Sequence, residues 1–329
     1  MVRLFEALAQ PRLLRGLLFL LAVAVLAGFD YGGLVARLAE IVPALAQPAG
    51  QAAGPWLVIA VLAALVVVNF WLLSHLPFRA QATIIWVELL ALFAAFCWSF
   101  GLSYPFMLAR APILLGLELR DGFIQGAALT LFICVVSIAI STVIALAAAL
   151  ARLSASGPAF GVATFYTSFF RGTPLLLQTM LIYLGLPQLG LVIDAIPAGI
   201  IALSLCYGAY MAEIFRAGIL AVPRGQSEAA LSLGLKPAEV TWLVVLPQAM
   251  RLIIPPTGNQ FIAMLKDSSL VSVMGVWEIM FLARTHGRAE FKYMEMLIVA
   301  ALIYWAMSGV FELVQARIEK RFGKGVSAR

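Results

Sequence analysis

Long stretches of almost uncharged residues recur along this chain of 329 residues, and they constrain its fold more than any other feature. A run of about eighteen or more such residues is long enough to cross a bilayer as an α-helix. Because the hydrocarbon contains no water, the backbone polar groups of a crossing segment must be satisfied within the helix. The sequence therefore predicts an all-α polytopic membrane protein with about eight transmembrane helices. The predicted spans are 13–29, 55–74, 83–102, 124–151, 162–186, 194–217, 252–280 and 293–316.

The distribution of charge orients these spans. Charged residues make up only 12% of the chain, against about 25% in a soluble domain. If the N-terminus is cytoplasmic and the spans alternate, most of the 22 Lys and Arg residues fall on the cytoplasmic side, as the positive-inside rule requires. The net charge of +6 then reflects basic loops beside a lipid bilayer, so we expect no nucleic-acid partner. Both termini are predicted to be cytoplasmic.

One change in composition divides the chain. Residues 103–123 are more charged than their surroundings and contain two prolines. We place the division at residue 120, which gives an N-terminal extension of three spans (1–120) and a second part of five spans (121–329).

A polar, well-patterned segment interrupts the apolar runs between the sixth and seventh spans. The stretch "RGQSEAALSLGLKPAEVTWLVVLPQAMR" runs from Arg224 to Arg251. Ser227 is a good N-cap, Gly234 a natural helix stop, and Pro237 suits the first position of a second helix that Pro247 would end. Two short helices joined at a glycine are predicted, with an apolar surface from Leu231, Leu233, Leu235 and Trp242. From these residues alone, a docking element and an amphipathic loop lying on the membrane are both open.

The same segment resembles the EAA loop of permease subunits in binding-protein-dependent ABC importers. The motif positions are Glu228, Ala229, Ala230, Gly234, Leu246 and Pro247, with Val244 in place of the usual isoleucine. In that family the loop, here 224–247, docks into a cleft of a cytoplasmic ATPase and carries the motion of ATP binding to the membrane helices. These six motif residues are therefore the predicted ATPase-coupling site.

Flanking motifs resemble the polar amino acid subfamily of these permeases. They are "FFRGTPLLLQTM" (169–180), "YGAYMAEIFRAGI" (207–219) and the stretch from 246 to 279 that begins "LPQAMRLIIPPTGNQ". The resemblance covers about residues 121–320, and the N-terminal extension resembles permeases of general L-amino acid transporters. It implies a type I ABC importer permease core with an N-terminal three-span extension, located in a bacterial cytoplasmic (inner) membrane.

The resemblance also implies partners and a division of labour. We expect a cytoplasmic ABC ATPase dimer, a second permease subunit of the same or a homologous chain, and a periplasmic or extracytoplasmic amino-acid-binding protein. ATP and Mg would be bound by the partner ATPase, so this chain would be a transport subunit with no cofactor of its own. Consistent with that expectation, the sequence has no G-x-x-x-x-G-K-[ST] phosphate loop, no metal-ligand spacing and no nucleophile–base pattern.

Polar residues inside the spans suggest where substrate passes, because such residues are costly in a bilayer. In the seventh span, Pro255, Pro256 and Gly258 are expected to break the helix and expose backbone groups to a cavity. Lys266 and Asp267 are equally compatible with a structural role in pairing with neighbours. Gln178 follows a predicted helix start at Thr173 and Pro174. The candidate pathway residues are Gln178, Asn259, Gln260, Asp267, Ser268, Ser269 and Glu278.

An ion-coupled secondary amino acid transporter is the alternative function, and Asp267 is the carboxylate that keeps it open.

Overall fold

The computed structural model describes residues 48–117 and 124–322, and every regular element within them is helical. The predicted all-α fold is therefore confirmed for the described residues. The chain forms two compact units, Met1–Gly101 and Leu102–Arg329. The predicted division at residue 120 lies outside the described residues and stays a prediction, as does the span predicted at 13–29.

In the first unit, two apolar helices are described, α1 (Pro48–Leu73) and α2 (Phe78–Ser99). A hydrogen bond of 2.8 Å from Asn69 Nδ2 to Glu88 Oε2 joins them. Large apolar side chains on both helices are exposed, including Trp56 and Trp86. Such a surface suits lipid, in which leaving apolar groups uncovered by protein costs little.

The second unit contains the remaining described α-helices. They are α3 (Tyr104–Leu115), α4 (Gly126–Leu153), α5 (Gly157–Gly172), α6 (Leu175–Met180), α7 (Ala195–Leu220), α8 (Arg224–Ser232), α9 (Pro237–Glu239), α10 (Leu246–Asp267), α11 (Ile279–Ala289) and α12 (Tyr293–Phe322). A 3₁₀ helix, Ser268–Met274, connects α10 to the turn before α11.

Within the described residues, six helices are long and apolar enough to cross a membrane. They are Gly54–Leu73, Phe78–Ala95, Gly126–Leu153, Ala195–Leu220, Pro237–Met274 and Tyr293–Phe322. The pair Gly157–Gly172 and Leu175–Leu189 would be a seventh, although it is bent by 107°. Each of these matches one predicted span, and the total of eight stays a prediction.

The core of the second unit lies where α4 packs against α7. Small residues dominate this contact, and Ala145, Ala149, Ala209 and Ala212 are fully buried. Small side chains allow two helix backbones to approach closely in a membrane, where packing replaces the hydrophobic effect as the driving force. Serine hydroxyls add hydrogen bonds across the contact, such as the one of 3.2 Å from Ser141 Oγ to the carbonyl of Ser204.

Gly126 fixes the start of α4. Its φ of +58° is disfavoured for other residues, and a Cβ there would overlap the carbonyl of Leu114 at the end of α3. Its N–H donates to the carbonyl of Trp277 at 2.8 Å. Glycine therefore brings the end of α3, the start of α4 and the turn before α11 together.

Candidate functional site

The segment 224–247 forms two helical pieces joined by a bend at Gly234, as predicted. Gly234 has a φ of +85°, and its N–H donates to the carbonyl of Leu231 at 2.9 Å. Pro237 opens the second piece, where Glu239 Oε2 accepts a 2.7 Å hydrogen bond from the Lys236 N–H. This is the return bond of a helix cap, and it fixes the direction in which the second helix leaves the bend.

Two details of the predicted segment were wrong. The first helix begins at Arg224 rather than at Ser227, because Pro223 already holds a φ of −59° and its carbonyl accepts from the Gln226 N–H. Pro247 does not end the second helix, which continues into α10. A π-helical turn, Val240–Val245, leads into α10, in which Pro247 is the second residue, so its missing N–H falls in the first turn of that helix.

The predicted coupling residues divide into exposed and packed positions. Glu228, Ala229 and Pro247 are exposed, Ala230 is buried, and Leu246 is half-buried. The Glu228 carboxylate forms no ion pair with another described residue. Ala230 therefore holds the first helix against the second, whereas Glu228 and Ala229 face outward.

Apolar side chains of this segment are also uncovered. Leu233 is 84% exposed at the bend, and Leu231 and Trp242 are about half exposed. The predicted apolar surface is thus present, except that Leu235 is only half-buried. An ordered helical element with an exposed apolar surface beside a free carboxylate is suited to contact with another protein.

The predicted break in the seventh span lies in a different place. The helix α10 continues through Pro255, Pro256 and Gly258 instead of breaking there. Side chains add hydrogen bonds to carbonyls of this stretch, since Thr257 Oγ1 donates to the Ile253 carbonyl at 2.8 Å and Gln315 Nε2 donates to the Pro255 carbonyl at 2.6 Å.

The chain departs from the α-helix only after Asp267. There it tightens into the 3₁₀ helix Ser268–Met274 and turns at Gly275, which has a φ of +83°. Irregular backbone at this depth is tolerated only against protein or a water-filled cavity. The change of helix type therefore coincides with the candidate residues at positions 267–269.

Asp267 is the best-positioned of the candidate pathway residues. Its side chain is exposed, and its Oδ2 accepts a 2.7 Å hydrogen bond from the hydroxyl of Tyr207 on α7. Ser268 is buried and donates to the Leu265 carbonyl at 2.7 Å, and Ser269 is half-buried. The Ser268 hydroxyl thus satisfies a backbone carbonyl at the end of α10, whereas the Asp267 carboxylate lies at the surface of the unit.

Asn259 and Gln260 lie earlier on the same helix. Asn259 is exposed and Gln260 half-buried, about 12 Å from Asp267 along the axis by the rise of an α-helix. Arg251 and Lys266 are also exposed on α10. The helix therefore carries several polar groups at the surface of the second unit.

Glu278 and Gln178 are buried in structural arrangements. The Glu278 carboxylate caps α11, accepting from the N–H groups of Met280 and Phe281, and it accepts a 2.6 Å hydrogen bond from the Tyr304 hydroxyl. Gln178 Nε2 donates to the carbonyls of Phe170 and Thr173 and to the Thr173 hydroxyl. These hydrogen bonds connect the two helices on either side of the 107° bend. These contacts give both residues a structural role, and their roles in a substrate pathway stay predictions.

The predicted helix start after Arg171 also differs in detail. Thr173 does not cap α6, since its hydroxyl donates backward to the Phe169 carbonyl at 2.9 Å. Pro174 occupies the position before the helix, with a φ of −62°. Thr173 and Gln178 therefore both donate to carbonyls at the bend, to those of Phe169 and of Phe170 and Thr173 respectively.

Sequence reasoning missed two features. It did not place Tyr207 beside Asp267, and it did not identify the contacts that Glu213 makes with other helices. The Glu213 carboxylate contacts Arg152 from α4 and Arg171 from α5. The sequence did contain an indication of these ion pairs, because arginines near the ends of two membrane helices, α4 and α5, require a counter-charge.

Among the described residues, no group of three or more His, Cys, Asp and Glu side chains could hold a metal ion. The three cysteines are buried and unpaired by disulfides. The chemistry that the described residues offer is thus polar contact and charge rather than metal coordination.

Comparison with known proteins gives consistent matches. The profile of the family described as "Binding-protein-dependent transport system inner membrane component" matches residues 141–324. The arginine transport system permease protein ArtQ of Bacillus subtilis (strain 168) is 41% identical over 199 residues, which is 60% of this chain and 91% of that protein. The glutamine transport system permease protein GlnP of Escherichia coli (strain K12) is 37% identical over 200 residues, with the same coverage of 60% and 91%.

A solved structure matches as well. The crystal structure of an amino acid ABC transporter with histidines aligns with a TM-score of 0.60 and 38% identity, covering 67% of this chain and 99% of the matched chain. Each alignment leaves part of this chain unmatched, because the matched proteins are shorter.

Proposed function

Since the chain belongs to the binding-protein-dependent transport system inner membrane component family, we propose that it is the permease subunit of an ABC importer for polar L-amino acids. The motif resemblance to this family, noted from the sequence, is confirmed. The relatives named for arginine and glutamine transport support a polar amino acid as the substrate. This family membership favours the importer over an ion-coupled secondary transporter.

We propose that 224–247 is the surface to which a cytoplasmic ATPase docks. The observation that carries this proposal is the ordered bend at Gly234, which holds Leu233 outward beside the unpaired Glu228 carboxylate. Exposed leucine at the tip of a rigid element can fill a pocket on a partner.

The continuity of the helix supports a route for motion. The chain is helical from Pro237 to Met274, so displacement of the docked loop would move α10 and its polar residues directly. In our proposal, ATP binding closes the ATPase pair and tilts this helix, which switches access between the two sides of the membrane. The substrate shifts this equilibrium only if it binds the two states with different affinity.

The remaining partners follow from the same proposal. A second permease subunit, the same or homologous, would complete the central pathway. An extracytoplasmic amino-acid-binding protein would deliver substrate to the side opposite the loop. ATP and Mg would bind to the ATPase, and both termini would lie in the cytoplasm of a bacterial cell.

Purification of the tagged full-length chain from its native membrane in mild detergent tests this proposal. We expect an ABC ATPase to co-purify, and Glu228→Ala or Gly234→Val to reduce its recovery about tenfold, as for loss of an interface hot spot. Valine at Gly234 is disfavoured by the backbone conformation alone, because no atom lies within 4 Å of a Cβ there. Glu312→Gln, which changes an exposed carboxylate on α12, is the matched control.

A different elution and transport behaviour would contradict the proposal. A chain that elutes alone or as a simple oligomer, and that transports amino acids in liposomes under an ion gradient, would establish the secondary transporter.

A further inference from the structure

A cleft of about 420 Å³ lies between the 3₁₀ helix Ser268–Met274 and α11. Its volume is in the range of small-molecule sites, about 300–1,000 Å³. It lies beyond the end of α10 that is farther from the coupling loop, roughly 30 Å along the helix by its rise per residue. Its lining residues are Ser272, Val273, Gly275, Phe281, Arg284, Thr285 and Arg288.

The cleft is positively charged. Arg284 and Arg288 are exposed and lie four residues apart on α11, so their guanidinium groups share one face of the helix. Neither forms an ion pair with a described residue, and Arg288 Nε donates a 3.2 Å hydrogen bond to the Tyr293 hydroxyl. Most of the donors of both groups therefore remain available to an anion.

The nearby carboxylates do not neutralise these arginines. Glu278 is fully buried, and its oxygens accept from Met280, Phe281 and Tyr304. Glu290 instead pairs with Arg110 at 3.5 Å.

The other lining groups favour a small organic anion. Phe281 and Val273 provide apolar walls, and Thr285 contributes a hydroxyl. Guanidinium groups bind carboxylates through paired, charge-assisted hydrogen bonds. A carboxylate attached to a small carbon skeleton thus fits both the charge and the apolar walls of the cleft.

We infer that this cleft receives the α-carboxylate of the transported amino acid on the side opposite the ATPase; the inference rests on the proposed function. The 3₁₀ helix that supplies Ser272 and Val273 to the cleft follows Asp267 directly in the chain, so in this inference the amino acid passes from the cleft to the polar residues of α10. Because every amino acid carries an α-carboxylate, the cleft binds amino acids in general and does not select among their side chains.

Uptake by the complete transporter in liposomes, with its binding protein, tests this inference. We expect Arg284→Gln and Arg288→Gln each to lower kcat/KM for L-glutamine and for L-arginine alike, by about tenfold, as for loss of a charge-assisted hydrogen bond. Arg110→Gln is the matched control, since Arg110 belongs to the same unit, is ion-paired and does not line the cleft. It should leave uptake unchanged.

A labelling experiment identifies the bound group. Thr285→Cys places a thiol in the cleft, whereas the native thiols of Cys97, Cys134 and Cys206 are buried and should react slowly with a maleimide. In the complete transporter without binding protein, we expect L-glutamine to slow labelling of this thiol. L-Glutaminamide, which lacks the carboxylate, should not.

Several outcomes would overturn the inference. These are normal uptake by both arginine variants in a wild-type background that transports, equal protection by L-glutamine and its amide, and protection by the binding protein alone. The last result would assign the cleft to a protein contact. Failure of the proposed function looks different, because the wild-type complex would then show no ATP-dependent uptake of any amino acid.

Discussion

Asp267 is held in place by Tyr207, a residue 60 positions earlier in the chain. The 2.7 Å hydrogen bond joins α7 to the end of α10, where the α-helix tightens into a 3₁₀ helix. A hydroxyl donated to a carboxylate is a charge-assisted bond that fixes the orientation of the acid. If Asp267 contacts substrate, its selectivity therefore depends on Tyr207 as a positioning residue.

Tyr207→Phe tests this dependence by removing one hydroxyl without changing the ring. We expect the KM for amino acid uptake to rise about tenfold, since a hydrogen bond to a charged group is lost, with little change in kcat. Tyr210→Phe, in the same helix, is the control, because the Tyr210 ring packs beside Arg171, whereas the hydrogen bond to Asp267 comes from Tyr207. Equal uptake kinetics for the two variants would remove Asp267 from the pathway.

Asp267→Asn examines the acid itself. We expect a change in the relative uptake of cationic and neutral amino acids, because a negative charge is removed while the hydrogen-bonding shape is kept. Competition between L-arginine and L-glutamine measures this ratio. An unchanged ratio with unchanged KM would place substrate recognition elsewhere.

At the scale of helices, Glu213 joins three elements of the second unit. Its carboxylate on α7 contacts Arg152 at the end of α4, Arg171 at the end of α5 and Arg216 one turn along α7. One negative charge therefore stands among three positive charges. Removing it would leave the arginines to repel one another in a partly buried setting.

Glu213→Gln is expected to destabilise the purified protein by about 2 kcal/mol, below the range for a fully buried pair because 24% of the side chain is exposed. Glu290→Gln is the matched control, since its pair with Arg110 is more exposed and such pairs contribute about 0–1 kcal/mol. Thermal unfolding in detergent compares the two. An equal loss would show that the three arginines do not depend on Glu213.

At the scale of the whole molecule, the compact units are Met1–Gly101 and Leu102–Arg329, while the functional division at residue 120 stays a prediction. The helix α3 belongs with the second unit, in which Leu114 is fully buried and Arg110 pairs with Glu290. The family match at 141–324 lies wholly within this unit. The compact unit that contains the family match therefore also contains α3, which a division at residue 120 would separate from it.

Two truncations distinguish these boundaries. Deletion of residues 1–120 removes α3 and uncovers the groups that pack against it, whereas deletion of residues 1–101 retains α3. We expect the longer deletion to have a Tm about 5 °C lower, because the burial of one leucine alone contributes about 2 kcal/mol. Equal unfolding temperatures of the two inserted proteins would favour the division at residue 120.

Patterns confined to short stretches of the chain were predicted well. The apolar runs gave seven spans that match described helices or the bent pair, and the glycine and proline positions gave the bend at 234 and the helix start at 237. These features depend on local backbone preferences and on the thickness of a bilayer, both of which act on consecutive residues. The break predicted at Pro255 and Pro256 was wrong because helices of a membrane protein tolerate proline where other helices pack against them, and Gln315 of α12 contacts this stretch through the Pro255 carbonyl.

The sequence by itself determined the helical class, the apolar segments and the family motif, since each is a property of neighbouring residues. Tertiary structure alone decided that α10 continues unbroken from the coupling loop, that Tyr207 meets Asp267, and that Glu213 gathers arginines from three helices. It also decided that Glu278 is buried, and that Arg284 and Arg288 form no ion pair with any residue that the structure describes. The reason is physical: a side chain far along the sequence supplies or satisfies a charge or a hydrogen bond only once packing brings the helices together.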